Sequence, residues 1–394
     1  MFEDDGYRKA RIAILIAFLL NGFSVGTFIS RIPDFKSILN ISNSLLGTSL
    51  FCASVGVLAA LRPTSKLAAK YGSGPTTKYG AFTLILGVPL VGLLFNLQWF
   101  WLSLFIFGFV SSIHDLSMNS HASALEHQAK KRVMSKFHAM WSLGALIGGA
   151  IGGVFANYGI SPRSHFFVIG LVILLIAFIT KDWFLPGSAD RHEVLADQKP
   201  SKRPRKLIVL GLFALGAAIC EGAASDWGGV LARETFNVSP FVATLPYILF
   251  SVMMVAGRLS GDWLANKFGI AKLLTWSGAL AGGGLILGLS LGNIYGVIIG
   301  WILLGAGVAT VIPLAVSLCG ELANNEFSGK ISAAESVALV TGVAYFGFVL
   351  GPPLLGFVAD QVTLRVAMYI PAILALLISL TAKRVVGSKL EVEK

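Results

Sequence analysis

Charged residues are scarce in this sequence. Aspartate, glutamate, lysine and arginine make up 13% of its 394 residues, whereas soluble globular proteins carry roughly 25%. Runs nearly free of charge take their place, such as 12–29, 82–95 and 166–180, and about 20 apolar residues suffice for a helix to cross a bilayer. The composition predicts a membrane protein and argues against a soluble enzyme, a nucleic-acid-binding protein or a secreted disulfide-rich domain.

Cysteine is also rare, and the motifs of nucleotide-driven chemistry are missing. Cys52, Cys220 and Cys319 are widely spaced inside apolar runs without metal-ligand spacing, so we interpret them as small buried hydrophobic residues. The glycine-rich stretches contain no Walker motif, and no activated nucleophile is evident. We therefore expect no enzyme activity, no cofactor and no metal site.

Twelve hydrophobic segments of membrane-spanning length follow one another along the chain. They are approximately 11–31, 44–64, 77–96, 99–124, 136–157, 164–183, 207–231, 240–262, 272–291, 294–320, 332–359 and 366–383. The first is too long for a signal peptide and lacks a cleavage site, so we expect it to be retained. A polar linker at 185–206 separates two predicted six-helix bundles, 1–184 and 207–394.

Lysine and arginine are unevenly distributed between the two sides of these segments. If the N-terminus is cytoplasmic, the cytoplasmic loops and termini hold 26 of the 31 basic residues, and five lie outside. Those five are Arg31, Lys36, Arg163, Arg233 and Arg365. The imbalance predicts that both termini are cytoplasmic, and it explains the net charge of +11 without a nucleic-acid partner.

Short stretches of the first half recur in the second half. Two pairs are separated by 197 residues and a third pair by 203. The pairs are 40–42 with 237–239, 67–72 with 264–269, and 148–157 with 351–360. Three matches in the same order, near half the chain length, indicate parallel repeats of the kind found in two-bundle transporters.

The loops after the second and eighth segments resemble the G-x-L-A-D-R-x-G loop of the major facilitator superfamily. The two copies are S-K-L-A-A-K-Y-G at 65–72 and D-W-L-A-N-K-F-G at 262–269. The resemblance covers essentially the whole chain. It implies an all-α fold of twelve transmembrane helices in two pseudo-symmetric bundles, rocking-bundle alternating access, a monomer, and a bacterial inner membrane as the location.

The resemblance also implies a cytoplasmic gate at these two loops. The candidate gate residues are Lys70, Gly72, Arg258, Asp262, Lys267, Gly269 and Glu335. The acidic residue of the family's loop is replaced by Ala69 in one copy and by Asn266 in the other, so the charge pairing must be weaker or come from elsewhere. Arg258 and Asp262 lie four residues apart on one helical face and are candidates for that pairing.

Within the superfamily, the chain is most similar to the fucose permease side and to the MosC-like (rhizopine-associated) group. The segment I-P-D-F-K at 32–36 resembles a segment of sugar permeases, and Asp115-x3-Asn119 falls where those permeases carry Glu-x3-Asn. Residues 137–144 and 221–227 resemble the MosC-like group. The permeases' acidic residue near the end of the first span is not matched.

Asp115 is the first candidate for the central site because it lies near the middle of the fourth segment. A carboxylate in the membrane is costly and usually serves an ion, a proton or a substrate. The structural alternative is a carboxylate that His114, Asn119 or Arg31 satisfies permanently. Asn119 lies one turn further on the same face, where it would bond a solute or join two helices.

The seventh segment contributes Glu221, Asp226 and Trp227, which interrupt a helix made mostly of small residues. Glu221 and Asp226 are five residues apart and do not share one face squarely, so we expect Glu221 to face a central cavity. For Asp226 the alternative is an outer gate in which it pairs with Arg31 or Arg233.

Four further residues are candidates with two interpretations each. Arg31 would hold a polar or anionic solute group or extend to the membrane surface. His138 and Trp141 would supply a proton-sensitive donor and a stacking surface, or make local contacts only. Asn21 in the first segment would likewise bind the solute or make local contacts only.

These features predict secondary transport of a small polar organic solute, sugar- or polyol-like, coupled to protons through Asp115. The expected partners are that solute, protons and the lipid bilayer. A second hypothesis is export of a drug or metabolite, because residues 148–153 resemble the G-P-x2-G-G motif of exporters with Gly149 in place of proline. A third is a sensor that binds the solute without moving it.

Overall fold

The structure is a computed structural model that describes residues 4–129, 134–189, 204–324, 326 and 333–386. Within these residues the chain is helical apart from short turns and a 3-10 turn at Gly187–Ala189. The helices are α1 (Asp4–Leu39), α2 (Asn43–Tyr71), α3 (Ser73–Val91), α4 (Leu97–Ala129), α5 (Met134–Asn157), α6 (Pro162–Thr180), α7 (Arg205–Phe236), α8 (Pro240–Phe268), α9 (Ile270–Ser290), α10 (Ile294–Val308), α11 (Val311–Asn324), α12 (Ala333–Gln361), α13 (Leu364–Ala367) and α14 (Tyr369–Val386).

Eleven helical segments of the described chain are long and apolar enough to cross a membrane. The pairs α10–α11 and α13–α14 each count as one segment. The remaining predicted segment is α3, whose first turns carry serine, threonine and lysine and which packs against α4 and α6. The predicted all-α membrane architecture is confirmed.

Two of the predicted segments contain a break in the helix, although each still forms one span that is long and apolar enough to cross a membrane. The segment 294–320 breaks between α10 and α11, and Pro313 in the first turn of α11 explains the break. Proline has no N–H, so the carbonyl of Ala309, four residues earlier, loses its helical partner. Pro371 in the first turn of α14 has the same effect on the last segment.

The chain divides into two compact units. The first comprises Met1–Ile41 and Thr48–Ala196, and the second comprises Ser42–Gly47 and Asp197–Lys394. In the first unit α1 packs along α5, and α3 packs on α4 and α6. In the second unit α7 packs along α12, and α9 packs on α10 and α14.

The first turn of α2 belongs to the second unit because Asp360 of α12 caps it. The Asp360 carboxylate accepts hydrogen bonds from the backbone N–H groups of Asn43, at 3.0 Å, and Ser44, at 2.8 Å. The Ser44 hydroxyl also donates to this carboxylate. A negative charge at a helix N-terminus satisfies free N–H groups and complements the helix dipole.

The internal repeat is also visible in the backbone geometry. Asn40 and Asn237, 197 residues apart, are the non-glycine residues with positive φ in the described part of the chain, and both have φ of 50°. Gly72 and Gly269 precede α3 and α9 with φ of 89° and 83°. This region disfavours residues with a Cβ, so both copies of the repeat use the same residue types to make the same turns.

Glycines bring the backbones of α1 and α5 into direct contact. A Cβ atom on Gly22 of α1 would lie 1.9 Å from the Trp141 carbonyl oxygen, and one on Gly148 of α5 would lie 2.3 Å from the Phe23 carbonyl oxygen. Small residues allow this approach between membrane helices, and the resulting contact is made by van der Waals packing.

We expect Gly148→Leu to destabilise the first unit. The new side chain would have to displace the backbone of α1, and overpacking of this kind costs about 1–3 kcal/mol. The measurement is the midpoint of thermal unfolding of the purified protein in detergent. Gly283→Leu on α9 is the control, because a Cβ at Gly283 meets no atom within 4 Å. An unchanged midpoint for Gly148→Leu would contradict the packing argument.

Candidate functional site

The carboxylate of Asp115 lies half-buried on α4 beside Asn119 of the same helix. The Asn119 amide donates to the Asp115 carbonyl oxygen at 2.8 Å and to its carboxylate oxygen Oδ1 at 3.3 Å. Within the described residues no lysine or arginine lies within ion-pair distance of Asp115. Of the three structural partners that the sequence offered, Asn119 is therefore the one in place.

A buried polar network connects α1, α4 and α5. The Asn21 amide donates to the Ser111 carbonyl oxygen at 3.2 Å and lies 3.3 Å from Nδ1 of His114. The Trp141 indole N–H donates to Asn21 Oδ1 at 2.9 Å. The Nε2 atom of His114 has no hydrogen-bond partner among the described residues. Asn21 thus fixes the orientation of the Trp141 ring, which is half-buried.

Sequence reasoning missed His114 as a member of this network. His114 is fully buried, and the sequence offered it only as a partner for the neighbouring Asp115. Adjacent residues on a helix point about 100° apart, so His114 and Asp115 face different neighbours. The sequence did contain a signal for this contact, because Asn21 and His114 are polar residues in the middle of the first and fourth hydrophobic segments.

His138 lies on α5 one turn before Trp141, outside the Asn21 network. Its ring is exposed and contacts Phe18 edge-on, with ring centroids 5.3 Å apart at 79°. The structure therefore places His138 and Trp141 in different surroundings, although the sequence treated them together.

An ion pair between Glu221 of α7 and Arg258 of α8 is the main polar feature of the second unit. One guanidinium nitrogen of Arg258 lies 3.3 Å from each carboxylate oxygen of Glu221. Each charge offsets the cost of burying the other in the membrane. The sequence suggested that Arg258 pairs with Asp262; in the structure its ion pair is with Glu221, because α7 and α8 pack together.

Asp226 and Trp227 occupy different environments on α7. Asp226 is half-buried and accepts a hydrogen bond from the Ser225 hydroxyl at 3.3 Å. Trp227 is fully buried in the helix packing, and its indole nitrogen has no partner among the described residues. The indole of Trp301 on α10 donates to the Ala224 carbonyl oxygen of α7 at 3.1 Å. Trp227 is therefore placed as a core residue rather than on a cavity wall.

Arg31 is 2% exposed, and its guanidinium is held by groups of its own chain. It donates to His165 Nδ1 at 3.1 Å, to the Asp34 carboxylate at 2.6 Å and to the Ile160 carbonyl oxygen at 2.6 Å. This arrangement differs from both interpretations of the sequence. The Arg31 side chain does not extend to the membrane surface, and its guanidinium N–H groups are already bonded within the protein and not left for a solute. It ties α1 to α6 and to the turn before α6.

Apart from Arg258, which lies in the interior of α8, the candidate gate residues lie near the ends of α2, α8 and α12. Lys70 and Lys267 place their ammonium groups over aromatic rings, 5.1 Å from the Tyr71 ring centroid and 4.7 Å from that of Trp263. Gly72 and Gly269 form the turns before α3 and α9. Asp262 is exposed on α8, and Glu335 lies in the first turn of α12. In the structure Arg258 pairs with Glu221 and not with another candidate gate residue.

Comparisons with known proteins agree with this architecture. The family model described as Major Facilitator Superfamily matches residues 14–334 and 230–390. The membrane protein MosC of Rhizobium meliloti is 26% identical over 376 residues, which are 94% of this chain and 89% of MosC. The resemblance to the superfamily and to the MosC-like group is thereby confirmed.

One further relative and one solved structure match different shares of the chain. Myo-inositol transporter 1A of Cryptococcus neoformans var. grubii is 26% identical over 183 residues, covering 43% of this chain and 31% of that protein. The crystal structure of a bacterial homologue of the human lysosomal transporter Spinster matches with a TM-score of 0.80. It covers 97% of this chain and 98% of that one at 14% identity, so it supports the fold alone.

Proposed function

The chain belongs to the major facilitator superfamily, and we propose that it carries a small polar solute, sugar- or polyol-like, across the membrane in exchange with or together with protons. The chain is a multi-pass integral membrane protein of a transporter family. The proposal adds a rocking-bundle cycle, a monomer, and a bacterial inner membrane with both termini on the cytoplasmic side.

The observation that carries the proposal is the contrast between two intramembrane carboxylates, Glu221 and Asp115; a third, Asp226, bonds to the Ser225 hydroxyl of its own helix. Glu221 has a cationic partner in Arg258, whereas Asp115 has the neutral amide of Asn119. A carboxylate in the membrane without a countercharge is a group that a proton or another cation neutralises. We therefore assign proton coupling to Asp115 and solute binding to the neutral groups around it.

The polar groups of α4 and α5 suit a hydroxyl-rich solute. Asn119 and Asp115 together offer an amide and two carboxylate oxygens, and each good hydrogen bond to a solute hydroxyl adds specificity. Trp141 offers the face of an indole whose N–H is already bonded to Asn21. The named substrate of one relative, myo-inositol, is a polyol, which supports this class of solute.

The glycine pattern at 148–153 favours helix packing over drug export. Gly148 and Gly152 face α1, where a Cβ would lie 2.3 Å from the Phe23 carbonyl oxygen and 1.9 Å from the Ser30 hydroxyl oxygen. Close packing of α1 on α5 thus accounts for these glycines without an export function.

A thermal-stability screen of the purified protein tests the proposed solute class. Myo-inositol, other polyols, sugars, amino sugars and lipophilic cations are added separately at two pH values. A ligand that binds the folded state raises the unfolding midpoint by mass action, and we expect a polyol or sugar to do so. Asn119→Ala should abolish the shift.

Ser120→Ala is the matched control for Asn119→Ala, because Ser120 is exposed and bonds only within its own helix. A shift with lipophilic cations alone would overturn the proposal in favour of an exporter. Binding of a polyol without counterflow in reconstituted vesicles would overturn it in favour of a sensor.

A further inference from the structure

A groove in the second unit opens between α8 and α9, with α10 as its floor. Its volume is about 650 Å³, within the range of small-molecule sites. Gly257 and Leu264 of α8 line one side, Trp276 and Leu280 of α9 line the other, and Ala306 of α10 closes the base. The groove exists because α8 and α9 touch each other little while both pack on α10.

The walls of the groove offer a ligand almost no polar group. The hydroxyl of Ser260 donates to the Ala256 carbonyl oxygen of its own helix at 2.9 Å. The hydroxyls of Ser277 and Thr310 bond to each other at 2.9 Å. Because these hydroxyls are satisfied internally, the groove suits a hydrocarbon chain and not a hydroxyl-rich solute.

The mouth of the groove lies on an apolar helix face. Trp276 and Leu280 are 50% and 43% exposed, and Leu287, further along α9, is 56% exposed. In a chain that spans the membrane, such a face contacts lipid acyl chains. The bilayer is therefore the source of hydrocarbon nearest to the groove.

One end of the groove carries cations and aromatic rings. The Lys267 ammonium lies 4.7 Å from the ring centroid of Trp263 and 5.3 Å from that of Phe268. Phe268 contacts Trp276, a lining residue, edge-on at 5.1 Å. Lys272 is exposed and lies one helical turn before Trp276 on α9. Tryptophan and lysine are typical of the level of the lipid head groups.

The nearby acid on α8 faces away from the groove. The lining positions of α8 follow a helical stripe that includes Gly257, Ser260 and Leu264. Asp262 lies two residues from Ser260 and two from Leu264, about 200° around the helix from each. Neither Lys267 nor Lys272 forms an ion pair with another described residue.

We propose that this groove binds one acyl chain of an anionic phospholipid, whose phosphate contacts Lys267 and Lys272. Basic side chains at a helix end attract anionic head groups, and the dry groove accepts the hydrocarbon. This site is independent of the solute site proposed at Asp115. Its occupant is a component of the bilayer and not a transported solute.

Native mass spectrometry of the full-length protein in detergent, titrated with phosphatidylglycerol or phosphatidylcholine, tests the proposal. The wild type should bind one molecule of phosphatidylglycerol with higher affinity than it binds a molecule of phosphatidylcholine. Lys267→Ala with Lys272→Ala should weaken phosphatidylglycerol binding on the order of tenfold and remove the preference between head groups. Ala279→Phe, which fills the groove from α9, should weaken the binding of both lipids.

Two control variants separate the site from general effects. Lys383→Ala with Arg384→Ala removes two exposed charges from the last turn of α14, and Val168→Phe enlarges an exposed apolar residue of α6. Both should bind phosphatidylglycerol like the wild type. The proposal is overturned if Ala279→Phe binds both lipids as tightly as the wild type does, or if the wild type binds the two lipids equally well. It is also overturned if loss of Lys383 and Arg384 weakens phosphatidylglycerol binding as much as loss of Lys267 and Lys272.

Discussion

Asp115→Asn is expected to abolish accumulation of the solute driven by a pH gradient while leaving solute exchange at least partly intact. The variant keeps the shape of the side chain and one acceptor oxygen, and it replaces the second oxygen by an NH2 donor that cannot gain or lose a proton. The Asn119 amide, which bonds to Asp115 at 3.3 Å, retains an oxygen acceptor. Binding and movement of the solute should therefore survive, whereas the link to the proton should not.

The measurement uses vesicles reconstituted with the purified protein, a labelled polyol and an imposed pH gradient. Net accumulation should fall to the level of empty vesicles, and counterflow should remain above it. Asp182→Asn is the control, because Asp182 is exposed and pairs with Lys78 at 3.3 Å beyond the end of α6. Normal accumulation by Asp115→Asn would show that the proton is carried elsewhere.

The span pattern and the repeat could be read from the sequence because both depend on local composition. Hydrophobic length determines which segments cross a bilayer, and the repeated loops kept enough residue identity to be recognised. Asn40 and Asn237 adopt the same φ of 50° in both copies. The breaks near Pro313 and Pro371 could be read only in part, because proline removes a helical hydrogen bond but Pro33, Pro63 and Pro246 lie inside unbroken helices.

The contacts within the site depend on packing between distant segments and could not be read in the same way. Spacing along one helix suggested Asp262 for Arg258, whereas the ion pair joins residues 37 positions apart. His114 bonds to Asn21 across 93 positions. Periodicity shows which face of a helix a residue occupies, but it does not show which neighbouring helix that face meets.

Arg31→Ala is expected to lower the stability of the first unit by about 3–5 kcal/mol, the usual effect of removing one partner from a buried ion pair. Arg31 is 2% exposed, and Asp34 beside it is 12% exposed. The substitution leaves the Asp34 carboxylate without this cation and the Ile160 carbonyl oxygen without its 2.6 Å donor. Unsatisfied buried polar groups cost more than the lost bonds contribute.

Thermal unfolding of the purified protein in detergent measures this effect. Arg163→Ala is the matched control, because Arg163 is exposed in the first turn of α6. This variant should unfold at the same temperature as the wild type. The double variant Arg31→Leu, Asp34→Leu should recover part of the loss, since it removes both charges together. If Arg31→Ala unfolds like the wild type but loses solute binding, Arg31 is a solute ligand and the structural assignment is wrong.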